Sequence, residues 1–224
     1  MTRSEHDAEI EVAGEAVVLL VERAAYWSRM STLLVADPHF GKAAAFRAAG
    51  VPVPTGTTVG TLDRLDACLA RTQTRRVIFL GDFLHAREGR SPQTLQSIND
   101  WRRAHSTIEM VLVRGNHDAR AGDPPRELEI QCVDEPMLEA PFAFTHHPQS
   151  LEGSYVVAGH LHPGVRLTGA ARESARLPCF WFAQDSAVLP AFGEFTGLAN
   201  VSPATTDRVW VVAGDSVVRV NSRR

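Results

Sequence analysis

The sequence predicts an α/β fold of two strand-bearing halves that face each other and are covered by helices. Three observations carry that expectation. Between Leu33 and Val113, short apolar runs alternate with helical patterns, as in a parallel sheet with right-handed crossovers. After Asp123-Pro124-Pro125 the helical patterns give way to strand-like runs. Near the end of the chain, two apolar runs flank Gly214-Asp215, the composition of a closing hairpin.

The first strand is expected at about Ala16 to Val21. Leu33-Leu34-Val35-Ala36 is a run of the kind a buried strand makes, and Asp37 sits where it ends. A helix follows from Lys42 to Ala49. Beyond the Val51-Pro52-Val53-Pro54 loop, Thr57 or Thr58 can cap a second helix with Leu62, Leu65 and Leu69 on its apolar face. Val77 to Leu80 is the next strand. Ser91 as N-cap with Pro92 at the first helical position starts a helix towards His105, with Leu95, Ile98 and the core residue Trp101 on one side. Met110 to Val113 is the third strand of the series and leads to Gly115. Later strands are expected at about Glu129 to Val133, Phe142 to Thr145, Tyr155 to Ala158 and Val165 to Thr168, with Thr168 to Arg176 an exposed loop. Val209 to Ala213 and Ser216 to Val220 make the hairpin.

Residues 1–224 fit one domain with a substantial core. At 44% hydrophobic and 22% charged residues, the chain is too apolar to be disordered. No stretch approaches the apolar length of a membrane span, and Glu5, Asp7, Glu9 and Glu11 replace the basic-then-apolar order of a signal peptide. Cys68, Cys132 and Cys179 are too far apart for a disulfide framework or a Cys-x-x-Cys zinc site. A cytoplasmic location is expected, without a membrane. The net charge of −3 provides no global field for nucleic acid, so any such attraction must be local.

Five polar clusters each follow an apolar run: Asp37-Pro38-His39, Gly81-Asp82, Gly115-Asn116-His117-Asp118, Thr145-His146 and Gly159-His160-Leu161-His162. Residues just past the carboxyl ends of several strands converge on one crevice in open α/β sheets. Any one cluster is a weak signal; five in order suggest a two-metal site. Its mixture of carboxylate, amide and imidazole suits Mn, Fe, Zn or Ni better than Ca.

This pattern resembles the calcineurin-like metallophosphoesterases from about Leu33 to Pro163. The resemblance implies a four-layer α/β/β/α sandwich, two facing mixed sheets flanked by helices, and two divalent cations with Mn2+ the first expectation. By the same resemblance, Asp37, His39, Asp82 and His162 hold one metal, and Asp82, Asn116, His146 and His160 hold the other. A shared aspartate suits this task because its two oxygens can reach cations roughly 3.5 to 4 Å apart. Such a pair lowers the pKa of a bridging water to give hydroxide near neutral pH, and it orients the phosphate for in-line attack. His117 would protonate the departing alkoxide, with Asp118 holding its ring.

Within that family the sequence looks most similar to the DNA ligase-associated metallophosphoesterases. The similarity lies in Asp37-Pro38-His39-Phe40-Gly41-Lys42-Ala43-Ala44-Ala45-Phe46-Arg47 with Val53-Pro54, in Gly81-Asp82-Phe83-Leu84-His85, and in Leu189 to Gly197. Pro38 stands where that branch has Leu, and His147 where it has Glu. The resemblance implies a phosphodiesterase acting on DNA in repair, on single-stranded or flap-like substrates, with DNA ligase, helicase or exonuclease partners. A phosphohydrolase of small nucleotides or phosphomonoesters is the alternative enzyme, and a metal-bound scaffold in a repair complex is a third reading. His85 reads as a neighbour of the ligands rather than one of them. Lys42, Arg114 and His147 are candidate phosphate contacts, and Arg114, Arg120 and Arg126 could form a local positive rim. As alternatives, Lys42 is a solvated surface lysine and His147 a plain loop residue.

Overall fold

The computed structural model describes residues 6–168 and 174–220. The first sheet holds seven strands in sequence order: β1 Ala8–Val12, β2 Glu15–Leu19, β3 Ala25–Trp27, β4 Thr32–Ala36, β5 Arg76–Leu80, β6 Glu109–Val113 and β7 Gln131–Val133. Neighbours are antiparallel from β1 to β4 and parallel from β4 to β7. The second sheet is built from β8 Met137–Glu139, β9 Phe142–Phe144, β10 Tyr155–Ala158, β11 Pro163–Thr168, β12 Ser174–Phe182, β13 Ser186–Val188, β14 Ala199–Asn200, β15 Arg208–Ala213 and β16 Ser216–Val220. Its order is β14-β11-β12-β13-β10-β9-β8, with β15 on β12 and β16 completing a hairpin with β15.

The unbroken apolar runs of β4, β5 and β6 follow from burial on both faces. Leu34, Ala36, Ile78, Leu80, Val111 and Val113 face the second sheet, while Leu33, Val35, Val77, Phe79, Met110 and Leu112 face the helices. Between the sheets, Trp27 lies edge-on to Phe142 with ring centroids 4.9 Å apart, and Phe180, Phe182 and Trp210 complete the layer. Each such side chain contributes about 1.5 to 3 kcal/mol by leaving water.

The helices are α1 Lys42–Ala48, α2 Thr57–Arg71, α3 Pro92–Ala104 and α4 Asn116–Ala121. Leu62, Leu65 and Cys68 of α2, Ile98 of α3 and Ala121 of α4 pack on the first sheet. The facing mixed sheets with flanking helices are those expected, but no described helix covers the second sheet's outer face. There Cys179, Val209 and Val211 form a small cluster of their own. Ser91 caps α3 by accepting from the Thr94 amide at 3.2 Å. Thr57 and Thr58 do not cap α2. The preceding residue is Gly56 at φ 88°, a left-handed turn that brings Thr57 in as the first helical residue. The expected loop at Thr168 to Arg176 is strand on both sides, with Thr168 paired to Ser174 in the β11–β12 ladder; residues 169–173 lie outside the described residues.

One segment joins the sheets at their carboxyl edge. Leu189 donates its amide to the Ala158 carbonyl at 2.9 Å, and Phe192 donates to the Ala36 carbonyl at 2.8 Å. It closes one side of the crevice where the five clusters meet.

Candidate metal centre

Asp37 and His39 follow β4, Asp82 follows β5 and Asn116 follows β6, while His146 follows β9 and His160 and His162 follow β10. All seven expected ligands come together, in two groups. In the first, His39 Nε2 and His162 Nε2 are 3.1 Å apart, His162 Nε2 is 3.7 Å from Asp37 Oδ1, and His39 Nε2 is 3.8 Å from Asp82 Oδ2. In the second, His146 Nε2 is 2.9 Å from Asn116 Oδ1, 3.1 Å from His160 Nδ1 and 3.4 Å from Asp82 Oδ1. Each oxygen of Asp82 therefore faces a different group.

The second group shows why cations fit. His146 Nδ1 lies 3.0 Å from the Leu80 carbonyl oxygen. A carbonyl only accepts, so Nδ1 carries a proton, and the neutral ring that a metal ligand must be presents its lone pair at Nε2. That lone pair meets the oxygens of Asn116 and Asp82, which are acceptors too. Two atoms each about 2.1 Å from one ion, at right angles, sit about 3 Å apart, so mutually repelling acceptors become ligands once a cation lies among them. Charge leads to the same conclusion. Asp37 and Asp82 are 0% and 2% exposed, Asp37 Oδ1 has no hydrogen-bond partner, and no described lysine or arginine lies within ion-pair distance of either. Burying unpaired carboxylates costs several kcal/mol each, which divalent cations would offset.

The backbone is bent to bring these atoms together. Asp37, His39, Asp82, His160 and His162 all have φ between 47° and 69°, the left-handed region that costs a non-glycine residue about 1 kcal/mol or more. Hydrogen bonds hold the bends: His39 N to the Asp82 carbonyl at 3.0 Å, Phe40 N to the Phe83 carbonyl at 2.9 Å, and His160 N to Asp37 Oδ2 at 2.9 Å. Gly81, at φ 80°, is required twice over, since a Cβ there would strike the His146 ring.

His117 stands over this centre, with Nε2 3.8 Å from Asp82 Oδ2. Its Nδ1 donates to the His85 carbonyl at 2.6 Å, and the His85 ring stacks on it with centroids 4.8 Å apart. Asp118 does not hold that ring, contrary to expectation. Its Oδ1 accepts from the Phe83 amide at 3.0 Å and its Oδ2 from the Gly115 amide at 2.9 Å, bracing the ends of β5 and β6. One step along α4 rotates a side chain by about 100°, which turns Asp118 away from His117.

The candidate phosphate contacts divide. Arg114 is engaged by Asp123 through both oxygens at 2.8 Å and by Asp134 at 2.9 Å, so its guanidinium is already met by carboxylates. His147 Nδ1 pairs with Glu135 Oε1 at 2.7 Å, and its ring lies 4.5 Å from that of His160. Glu135, which sequence reading missed, also accepts from the amides of His146 and His147 at 2.7 and 3.0 Å. Nothing in the sequence marks it, because only the fold brings it beside the ligand loop. Lys42 opens α1 half-buried at the edge of the centre; burial lowers its pKa while the fields of Asp37 and Asp82 oppose that shift.

Burial holds His39 well below the usual imidazole range, takes His85 down to about 4 and lowers His160, with neighbouring positive groups adding to each shift. Unfolding restores values near 6.5. Between about pH 6.5 and 4 the unfolded chain thus binds more protons, and stability is lost as pH falls. Asp118 acts oppositely: burial pushes its carboxyl up to about 6, so it favours the folded state as pH falls through 6. Three imidazoles outweigh one carboxyl. The metal-free protein is expected to melt at a lower temperature at pH 5 than at pH 7.5; an equal or higher Tm at pH 5 contradicts this.

The family model for calcineurin-like phosphoesterases matches residues 30–160, more than half of the chain. No curated protein matches the sequence. The fold is similar to the crystal structure of the Pseudomonas putida nuclease MPE, with a TM-score of 0.85 and 44% sequence identity, covering 96% of this chain and 100% of that one. With a two-group donor set at five strand ends and a match of this extent, the chain belongs to the calcineurin-like phosphoesterase family and is a metal-dependent phosphoesterase.

Proposed function

We propose that the protein is a phosphodiesterase that cuts DNA, single-stranded or flap-like, through two divalent cations held by Asp37, His39, Asp82, Asn116, His146, His160 and His162. The observation that carries this reading is the division of those donors into two groups that share Asp82, one oxygen to each. Two cations there would supply Lewis acidity to phosphate oxygens and an activated water. Asp82 and Asp37 fix the donor positions, and the uncharged Asn116 contributes an oxygen without further neutralising the centre. His117, anchored at Nδ1 by the His85 carbonyl, directs Nε2 at the centre and delivers a proton to the leaving alkoxide. His147, oriented by Glu135, contacts a non-bridging phosphate oxygen.

The nuclease similarity at 44% identity supports a polynucleotide substrate. Manganese is the first metal to test, with iron, zinc and nickel next. The whole chain 1–224 is taken to act as one domain in the cytoplasm, alongside a DNA ligase, helicase or exonuclease in repair, on the strength of the motif resemblance. No described helix is long and apolar enough to cross a membrane.

The test is a substrate panel on protein loaded with Mn2+. Single-stranded DNA and bis(p-nitrophenyl) phosphate are expected to be hydrolysed at least ten-fold faster than p-nitrophenyl phosphate. Preference for the monoester would favour small phosphomonoesters, and no turnover with any of the four metals would leave a scaffold.

A further inference from the structure

The cleft beside the metal centre is lined by His39, Lys42, Thr57, Thr58, Glu194 and Phe195, among others. His39 belongs to both places, so a group in this cleft is one side chain away from the reacting phosphate. Lys42 is the chain's sole lysine, beside 22 arginines. Elsewhere this sequence uses arginine for every basic position, and a solvated, solubilising lysine is therefore a poor account of the one exception. An ammonium is a compact point charge that meets a phosphate oxygen from many directions, where a guanidinium requires a planar pair of acceptors. Among the described residues no carboxylate lies within ion-pair distance of the Lys42 ammonium, although it is half-buried. The one acid in the cleft, Glu194, is turned towards Arg64, 3.5 Å away.

A second feature lies on the same rim. Phe195 is 37% exposed, one of few large apolar side chains left in water, and Phe46 holds it edge-on with centroids 5.9 Å apart. A ring fixed beside an unpaired cation suits a base and its phosphate, since every base offers a face to stack on.

We propose that the rim of this cleft is a subsite for the nucleotide next to the scissile phosphate of a single-stranded nucleic acid, with Lys42 meeting its phosphate and Phe195 stacking on its base. The proposal rests on the nuclease reading above and adds a second point of contact, which a substrate with one phosphate cannot use.

The experiment compares Lys42→Met and Phe195→Ala with the parent on a single-stranded oligonucleotide and on bis(p-nitrophenyl) phosphate, both with Mn2+ over a range of KCl. For Lys42→Met, the loss in kcat/KM is expected to be at least ten-fold greater on the oligonucleotide than on the model diester. The slope of log kcat/KM against log salt should flatten by about 0.7, the share of one phosphate contact on a single strand. For Phe195→Ala, the oligonucleotide should lose at least about five-fold more than the diester, with the salt slope kept. A loss of the same factor on both substrates, or no loss on either, overturns the subsite. A parent that hydrolyses the diester but leaves oligonucleotides intact overturns the nuclease reading itself, which is a distinguishable result.

Discussion

Asp82→Asn is expected to remove both metals and at least about 10³-fold of kcat, because either lost cation takes with it several kcal/mol of charge stabilisation in the transition state. The substitution preserves shape almost entirely. It replaces one of two acceptor oxygens by an amide that only donates, and that group must then face either the His39 and His162 nitrogens or the His146 and Asn116 acceptors. One of the two groups loses its shared ligand in either orientation, and the other loses the negative charge. Metal content of the purified variant and its rate on bis(p-nitrophenyl) phosphate check this together. The fold is not expected to be the casualty: no lysine or arginine pairs with this buried carboxylate among the described residues, and the Asn oxygen can still accept from the His117 amide that Asp82 Oδ1 accepts from at 2.9 Å, so the metal-free variant is expected to be at least as stable as the metal-free parent. Two bound metals and a rate within ten-fold of the parent would refute the shared-ligand assignment.

For His117→Ala the expectation separates the two roles, with metal retained and rate lost by about 10² to 10⁴-fold on substrates with an alkoxide leaving group. His117 lies outside the two donor groups, with Nε2 3.8 Å from the nearer Asp82 oxygen and Nδ1 fixed on the His85 carbonyl. Because that carbonyl keeps the proton on Nδ1, the second proton at Nε2 is the one available for transfer. p-Nitrophenolate leaves without needing a proton, and its release should slow by less than ten-fold. If alkoxide and nitrophenolate substrates lose rate equally, His117 positions the phosphate and gives it no proton.

The metal centre was legible because each of its parts is local. Strands buried on both faces must be written in apolar residues, so the ends of β4, β5, β6, β9 and β10 could be read directly, and the candidate ligands all lie within the next four residues. Most of what failed to show was decided by distant partners or by very few residues; β1 and β12, of five and nine residues, are the exceptions, and β1 displaces the strand at Ala16 to Val21 from first place. The short strands β3, β8, β13 and β14 carry two or three residues each, too few for a periodic pattern, and the six residues of α4 are hidden within the Asn116 to Asp118 cluster. The Asp118 carboxylate reaches backbone amides 35 residues away, Glu135 finds the His146 loop, and Arg114 is met by Asp123 and Asp134. Such pairings leave no periodicity to read. The cap of α2 was misread for another reason: a threonine's capping ability says nothing when the preceding glycine can turn left-handed.

Three of the first group's four donors hang from one sheet and His162 from the other, while the second group is split two and two. A pair of cations so placed would act as rivets through two slabs. Their grip would depend on the slabs keeping a fixed spacing, which is set by the aromatic layer around Trp27 and Phe142, well away from the chemistry. A methylene added or deleted in that layer would thus register first as a loosened hold on metal, before the protein as a whole gave way.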